Sequence, residues 1–170
     1  MKDQPIFKNH HIQRVAVFYG YFLSLGNNLQ SLFLLWMRLT WGHQFVLTGM
    51  KKLSDINATI QYFTTLNLHF PTFEAYFAGY LELIGGVLMM IGFCSRPVGL
   101  LLSLLMIMAL SSPAHVSVFH EFKAFFEPAL LVKEAPYPFL IASLLLFIFG
   151  PGRVSIDAWI KRWADNQPKY

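Results

Sequence analysis

Charged side chains are scarce in this chain, and cysteine is almost absent. Of the 170 residues, 13% are charged and 55% are hydrophobic, whereas an average soluble domain carries about 25% charged residues. A soluble fold of this length has too little interior for so many apolar side chains, so a bilayer must cover the rest. The one cysteine, Cys94, excludes an intrachain disulfide, a CxxC redox pair and a cysteine-built metal site within one copy.

The sequence also lacks the motifs of common soluble enzymes. Catalytic triads, glycine-rich phosphate loops, HExxH and paired carboxylates are absent, so hydrolysis and phosphoryl transfer have no support. The formal charge of +4 comes from basic residues dispersed at the ends of hydrophobic runs. This dispersal indicates signals for membrane orientation and argues against a nucleic-acid partner, which would require a basic stripe.

Hydropathy predicts an all-α fold, an integral membrane four-helix bundle with an N-terminal interfacial helix and a C-terminal amphipathic helix. The four predicted spans cover about residues 29–50, 73–93, 98–113 and 137–149. The preceding segment, residues 1–28, is predicted to be a tail and an interfacial helix, because its apolar run at 15–25 is about half as long as a crossing helix. A cleaved signal peptide is the alternative interpretation of that run.

Breaks and turns set the limits of these spans. We expect residues 26–28 to interrupt the helical pattern, Lys51 and Lys52 to stop the first span, and residues 53–72 to form a polar connection. The membrane domain is predicted to extend over 29–165, followed by a tail at 166–170.

The C-terminal segment has the periodicity of an amphipathic helix. Its apolar residues fall at i, i+3, i+4 and i+7, and they are Ile156, Trp159, Ile160 and Trp163. Charged residues, among them Lys161 and Arg162, occupy the other face. Such a helix is predicted to lie along the membrane surface.

The distribution of basic residues predicts the orientation of the chain. With four spans, one side of the membrane holds eight basic residues, which are Lys2, Lys8, Arg14, Arg96, Arg153, Lys161, Arg162 and Lys169. The other side holds four, which are Lys51, Lys52, Lys123 and Lys133. The positive-inside rule therefore predicts that both termini are cytoplasmic.

Two ionisable residues lie near the middle of predicted spans, Arg38 in the first and Glu82 in the second. Each costs about 2.5 to 3.5 kcal/mol if it faces lipid alone, so we expect both to face the bundle interior or each other, and their depths allow them to meet. Gly42 and Gly86 lie one turn from these charges, where close helix approach would leave a polar pocket. A pair that only fixes helix packing is the structural alternative.

His43 lies on an adjoining face of the first span, where its imidazole can exchange a proton or can be capped by a neighbouring hydroxyl. The resulting prediction for a midplane site has two sets of residues. The catalytic residues are Glu82, Arg38 and His43, and the cofactor-binding residues are Arg38, Glu82, Gly42 and Gly86.

Another polar cluster follows the third span. It contains His115, His120, Glu121 and Glu127, with Met106 and Met108 before it. Histidine and thioether ligands suit copper, but the spacing matches no fixed metal pattern. No metal site is predicted, and a hydrated interfacial loop explains the cluster.

Three motifs, in order and suitably spaced, resemble the DoxX family of four-span bacterial inner-membrane proteins over about residues 32–160. The first is Leu35-Trp36-Met37-Arg38-Leu39, followed by Gly42, Phe45, Gly49 and Lys52. The second is Glu82-Leu83-Ile84-Gly85-Gly86, followed by Gly92 and Arg96. The third is Gly150-Pro151-Gly152-Arg153-Val154-Ser155-Ile156-Asp157.

The resemblance implies a multi-pass protein of the bacterial inner membrane whose shared polar positions map to Arg38, Glu82, Arg96 and Arg153. Members of this family have been linked to thiosulfate:quinone oxidoreductase, to membrane complexes that counter oxidative or thiol stress, and to operons for metal-related modified peptides. The Phe-rich loop between the third and fourth spans departs from the family's short Gly-rich form.

These observations favour a membrane subunit of a quinone-linked or thiol/oxidative-stress redox system, with a quinone as the candidate cofactor. Its expected partners are the lipid bilayer, a redox or other soluble protein, and a second copy in a homo-oligomer. The alternatives are a non-catalytic anchor or assembly factor for a soluble partner, using the C-terminal helix or the Phe122–Phe126 loop, and a small metal- or solute-handling membrane protein.

Overall fold

The computed structural model of the protein describes residues 10–112 and 131–166. Within these two ranges the chain is all α-helical, as the hydropathy pattern predicts. The six helices are α1 (His10–Ser54), α2 (Ile56–Thr65), α3 (Pro71–Ile91), α4 (Ser95–Leu110), α5 (Pro136–Phe149) and α6 (Ile156–Asp165). The expected loop with His115, His120 and Phe122–Phe126 lies outside the described residues.

The first helix is longer than its sequence suggests. It runs without interruption over 45 residues, so the expected break at 26–28 is wrong. Gly and Asn each cost a helix interior about 1 kcal/mol or less, which an otherwise continuous helix tolerates. The interfacial placement of residues 15–25 stays a prediction.

The end of α1 also differs from expectation. Lys51 and Lys52 lie inside the last turn, and the helix ends at Ser54. Asp55 then caps α2 by accepting a hydrogen bond from the backbone N–H of Ala58 at 3.1 Å. Residues 56–65, expected to be part of a polar connection, are therefore helical, because an N-capping Asp satisfies the first turn of a short helix.

Helix α3 corresponds to the predicted second span. It begins with Pro71 at a position where proline needs no donor, and it ends at Gly92, whose φ of 69° is left-handed. Among the described helices it alone is both long and apolar enough to cross a membrane. Helices α4 and α5, with 16 and 14 residues, are shorter apolar helices that agree with the third and fourth predicted spans.

Glycines bring α1 and α3 into close antiparallel contact. A Cβ added at Gly49 would lie 2.5 Å from the backbone nitrogen of Leu83, and one at Gly86 would lie 2.7 Å from the carbonyl oxygen of Gly42. Only glycine fits at such positions, as in other membrane helix pairs that pack through small residues. The expected close approach at Gly42 and Gly86 is confirmed.

The second helix pair, α4 and α5, is held by small and hydroxyl residues. A Cβ at Gly99 would lie 2.9 Å from the carbonyl oxygen of Ser143. One turn further on, the buried Ser103 donates a hydrogen bond to Ser143 Oγ at 3.0 Å. These contacts place the two short helices together beside the α1–α3 pair.

The expected C-terminal helix is present as α6, and it joins one end of the bundle. Ser155 caps it by accepting from the N–H of Ala158 at 3.1 Å, and the Asp157 N–H donates to Gly92 O at 3.0 Å. No residue of α6 is buried, and both Trp159 and Trp163 are exposed. Its placement along a membrane surface stays a prediction.

Candidate functional site

Arg38 is buried at the end of the bundle where α3 stops. Its Nε donates to Met89 O at 3.0 Å and its Nη2 to Met90 O at 2.9 Å. Its Nη1 donates to Pro151 O at 2.5 Å and to Val154 O at 2.8 Å. The guanidinium therefore connects α1, the last turn of α3 and the segment before α6.

The chemistry of a helix end explains this arrangement. The last four carbonyls of a helix have no partner within it and carry the negative end of the helix dipole, so a buried cation with several donors suits them. Gly92 makes room for that cation, since a Cβ there would lie 2.5 Å from Arg38 Nη2. Asp157 completes the junction by accepting from the N–H groups of Cys94 and Ser95, both at 2.8 Å, at the start of α4.

Arg38 and Glu82 both face the bundle interior, as expected, at 2% exposure each, but the alternative that they pair with each other is wrong. The glycine contacts set the register of α1 against α3 and put Arg38 beside Met89 and Met90, about two turns from Glu82 along α3. The structural alternative, an Arg38–Glu82 pair that fixes helix packing, is therefore wrong as well, although Arg38 does connect the helices. Its stapled partners are backbone carbonyls and not the carboxylate.

Glu82 pairs instead with Lys52. The Nζ of Lys52 lies 2.5 Å from Oε1 of Glu82, and the side chains are 30% and 3% exposed, respectively. The other carboxylate oxygen, Oε2, is buried without a hydrogen-bond partner in the described structure. Buried polar atoms are almost always satisfied, so an unpaired carboxylate oxygen near the middle of an apolar helix is a candidate position for a ligand or an ordered water.

A cavity of about 380 Å³ contains this pair, a volume within the usual range of small-molecule sites. Its charged lining residues are Lys52, Glu74 and Glu82. The remaining lining residues are mainly aromatic and aliphatic side chains from α2, α3 and α4, with Ala135 and Pro136 at α5. Few polar groups in an apolar enclosure are typical of a binding site for a small, largely apolar molecule.

Lys52 is the site residue that the sequence analysis missed. It was assigned to a loop because lysine commonly ends a membrane span, but α1 continues past it and Glu82 neutralises it. One signal was available, since Lys52 is the last residue of the opening DoxX-like motif. A loop lysine would have no reason to keep a fixed place in a membrane motif.

The other predicted site residues lie elsewhere. Gly42 and Gly86 are buried in the α1–α3 contact and do not line the cavity. His43 is exposed and does not line the cavity either. Their predicted catalytic and binding roles stay predictions. Across residues 10–112 and 131–166, no group of three or more His, Cys, Asp or Glu residues could hold a metal ion.

Comparison with known proteins gives two matches. The model of the DoxX family matches residues 33–121, a range that includes Arg38, Lys52 and Glu82. "Putative oxidoreductase CatD" of Bacillus subtilis (strain 168) is 32% identical over 130 residues, which cover 76% of this chain and 88% of that protein. No solved structure gives a significant match.

Proposed function

Because the chain belongs to the DoxX family of membrane proteins, we propose that it is the quinone-binding membrane subunit of a redox system. The Lys52–Glu82 cavity is the proposed binding site. The observation that carries the proposal is the free Oε2 of Glu82, a buried carboxylate oxygen beside a cavity of suitable size. The relative named an oxidoreductase supports the redox part.

The donors and acceptors in the cavity suit the two forms of a quinone. The Lys52 ammonium has three donors, of which one is used on Glu82, so it can donate to a ring carbonyl. Rotation of the Glu82 side chain would bring Oε2, which is buried in this structure, to the cavity, where it can accept from the hydroxyl of the reduced form. Tyr62, Phe63 and Phe77 supply aromatic surface for the ring.

The proposed step is a proton transfer at Glu82. Reduction of a quinone takes up two electrons and two protons, and oxidation of a quinol releases them. Glu82 would pass both protons through Oε2, one with each electron, and would exchange each of them with water, while Lys52 balances the carboxylate charge. A partner redox protein with a flavin, a haem or a reactive dithiol would supply or accept the electrons, and a role in oxidative or thiol stress would follow from that partner.

The proposed location is the bacterial inner membrane with both termini cytoplasmic. The structure strengthens the underlying charge count, because Lys52 is engaged with Glu82 inside the bundle and no longer counts as a loop charge. The basic residues then divide eight to three between the two sides, which favours cytoplasmic termini more strongly.

The test is to purify the protein from native membranes in mild detergent and to quantify extracted quinone per protein. We expect near-stoichiometric quinone in the wild type and its loss in Glu82→Gln, which preserves the side-chain shape. Lys52→Met should also lose quinone, whereas Lys51→Met, the same substitution at the exposed neighbour, should retain it. Absence of quinone from well-folded wild-type protein would overturn the proposal and favour the anchor alternative.

A further inference from the structure

A heptad repeat runs along α1. Apolar residues recur at alternating spacings of three and four, and they are Val15, Phe18, Phe22, Leu25, Leu29, Leu32, Trp36 and Leu39. Such a repeat, sustained over more than three heptads, is the pattern of a coiled-coil seam. The set of these eight positions is called the α1 seam below.

The described side chains of the α1 seam are not covered by residues 10–112 and 131–166. The side chains of Phe18, Leu25, Leu29, Leu32, Trp36 and Leu39 are between 49% and 74% exposed. The bundle packs against the opposite side of α1, where Leu34, Arg38 and Phe45 are buried. By helical geometry the centres of these two faces are roughly 180° apart. The seam is therefore the back of α1, available to another molecule.

Lipid alone does not account for the whole seam. The Gly152 turn reaches α1 at Ser31, because a Cβ at Gly152 would lie 3.5 Å from Ser31 O. Residues 10–30 extend roughly 30 Å beyond that point, and α3 by itself already spans about 31 Å, close to the thickness of a hydrocarbon core. Leu32, Trp36 and Leu39 can face lipid, but Phe18 and Leu25 lie beyond the bundle, where an exposed apolar stripe marks a surface that interacts with another molecule.

We propose that the α1 seam pairs in parallel with the α1 seam of a second copy of this chain. Two copies inserted the same way in a membrane present the same seam in the same direction, so a two-fold axis along the membrane normal brings them into register. Phe18 and Trp36 are 74% and 58% exposed, and aromatic side chains bury about 150 to 250 Å² each, so these two alone supply roughly 200 to 330 Å² of the roughly 800 Å² per partner in a standard stable interface. The four exposed leucines of the seam add to that area.

His43 fits this arrangement. It is exposed in an apolar part of α1 and occupies the heptad position that follows Leu39. In the dimer the two His43 side chains would face one another at the axis, where a single polar residue in a seam fixes register and oligomeric state. The proposal thus gives an exposed membrane histidine a hydrogen-bonding partner.

Cysteine cross-linking in native membranes tests the proposal. In a Cys94→Ser background, Leu25→Cys and Leu32→Cys place a thiol in the seam, whereas Ser24→Cys places an equally exposed thiol about a third of a turn away. We expect mild oxidation to give a covalent species of twice the 19.5 kDa chain mass for the two seam variants. The Ser24→Cys variant should not form that species.

A second measurement covers variants that cross-link poorly. Light scattering in detergent should give a dimer for the wild type and a monomer for the double variant that combines Phe18→Lys with Leu25→Lys. Both changes lie beyond the bundle and leave its packing intact. Ser24→Lys should remain a dimer. A monomeric wild type, cross-linking that does not depend on the heptad position, or a cross-linked partner that mass spectrometry identifies as another protein or as lipid would overturn the proposal.

Discussion

The staple at Arg38 predicts a large loss of stability from a substitution that keeps the charge. In Arg38→Lys, the planar guanidinium, which donates to carbonyls on two segments, is replaced by a single ammonium nitrogen on a side chain of different shape. That nitrogen can serve Met89 and Met90 or Pro151 and Val154, but it cannot serve both pairs. Two carbonyls then remain without donors at a partly buried site.

The magnitude follows from those two bonds. A hydrogen bond to a charged group contributes about 1.5 to 3 kcal/mol, so the loss of two costs about 3 to 6 kcal/mol. Arg38 is only 2% exposed, so solvent screening reduces this cost little. For a chain of this size, each kcal/mol lowers the unfolding midpoint by about 2 to 4 °C, and we expect a decrease of about 10 °C.

Thermal unfolding in detergent, followed by tryptophan fluorescence, measures the effect. Arg96→Lys is the matched control, because Arg96 lies at the same end of the bundle and is exposed; its midpoint should stay near that of the wild type. Folded Arg38→Lys should still bind quinone. If Arg38→Lys unfolds at the same midpoint as the wild type but has lost quinone binding, the staple is refuted and Arg38 belongs to the binding site.

Three further predictions concern the same bundle and use the same unfolding measurement. Gly49→Ala forces α1 and α3 apart and should lower the free energy of unfolding by about 1 to 3 kcal/mol. The control Gly20→Ala, with nothing within 4 Å of its added Cβ, should leave that free energy unchanged or raise it by up to about 1 kcal/mol. Equal effects of the two substitutions would contradict the close contact. Asp157→Ala removes the cap of α4 and should cost about 0.5 to 2 kcal/mol; an unchanged midpoint would show that the cap is dispensable. The single variant Lys52→Met should be less stable than the double variant that combines Lys52→Met with Glu82→Gln, because the single variant leaves a buried carboxylate unpaired. Additive effects in the double-mutant cycle would argue against the pair.

Much of the fold could be predicted because its signals are local. The apolar runs of α3, α4 and α5 have the composition of membrane helices, and the periodicity around Trp159 and Trp163 indicates an amphipathic helix without reference to the rest of the chain. The glycine spacing at Gly42 and Gly86 indicates close approach for the same reason, since only a missing side chain permits it.

The partners of the charged residues could not be predicted, because they depend on the register between helices. If α1 were shifted by two turns along α3, Arg38 would face Glu82 instead of the carbonyls at the end of α3. No local sequence pattern reports the register between the two helices. The interpretation of Lys52 failed for a related reason. A lysine in the last turn of a membrane helix is typical of a span end, and only the facing carboxylate allows it inside the bundle.

The motifs of the DoxX family therefore divide into two physical groups in this protein. Arg38, Gly92 and the Gly150–Asp157 segment close one end of the bundle and satisfy its helix termini. Lys52, in the last turn of α1, and Glu82, near the middle of α3, form a separate pair away from that end, and burying a charged pair commonly costs stability. Arg38, Gly92 and the Gly150–Asp157 segment hold that end of the bundle together with their own contacts. The burial of Lys52 and Glu82 is therefore not needed there. The unpaired Oε2 of Glu82 is consequently the feature of the described residues on which the proposed quinone site depends.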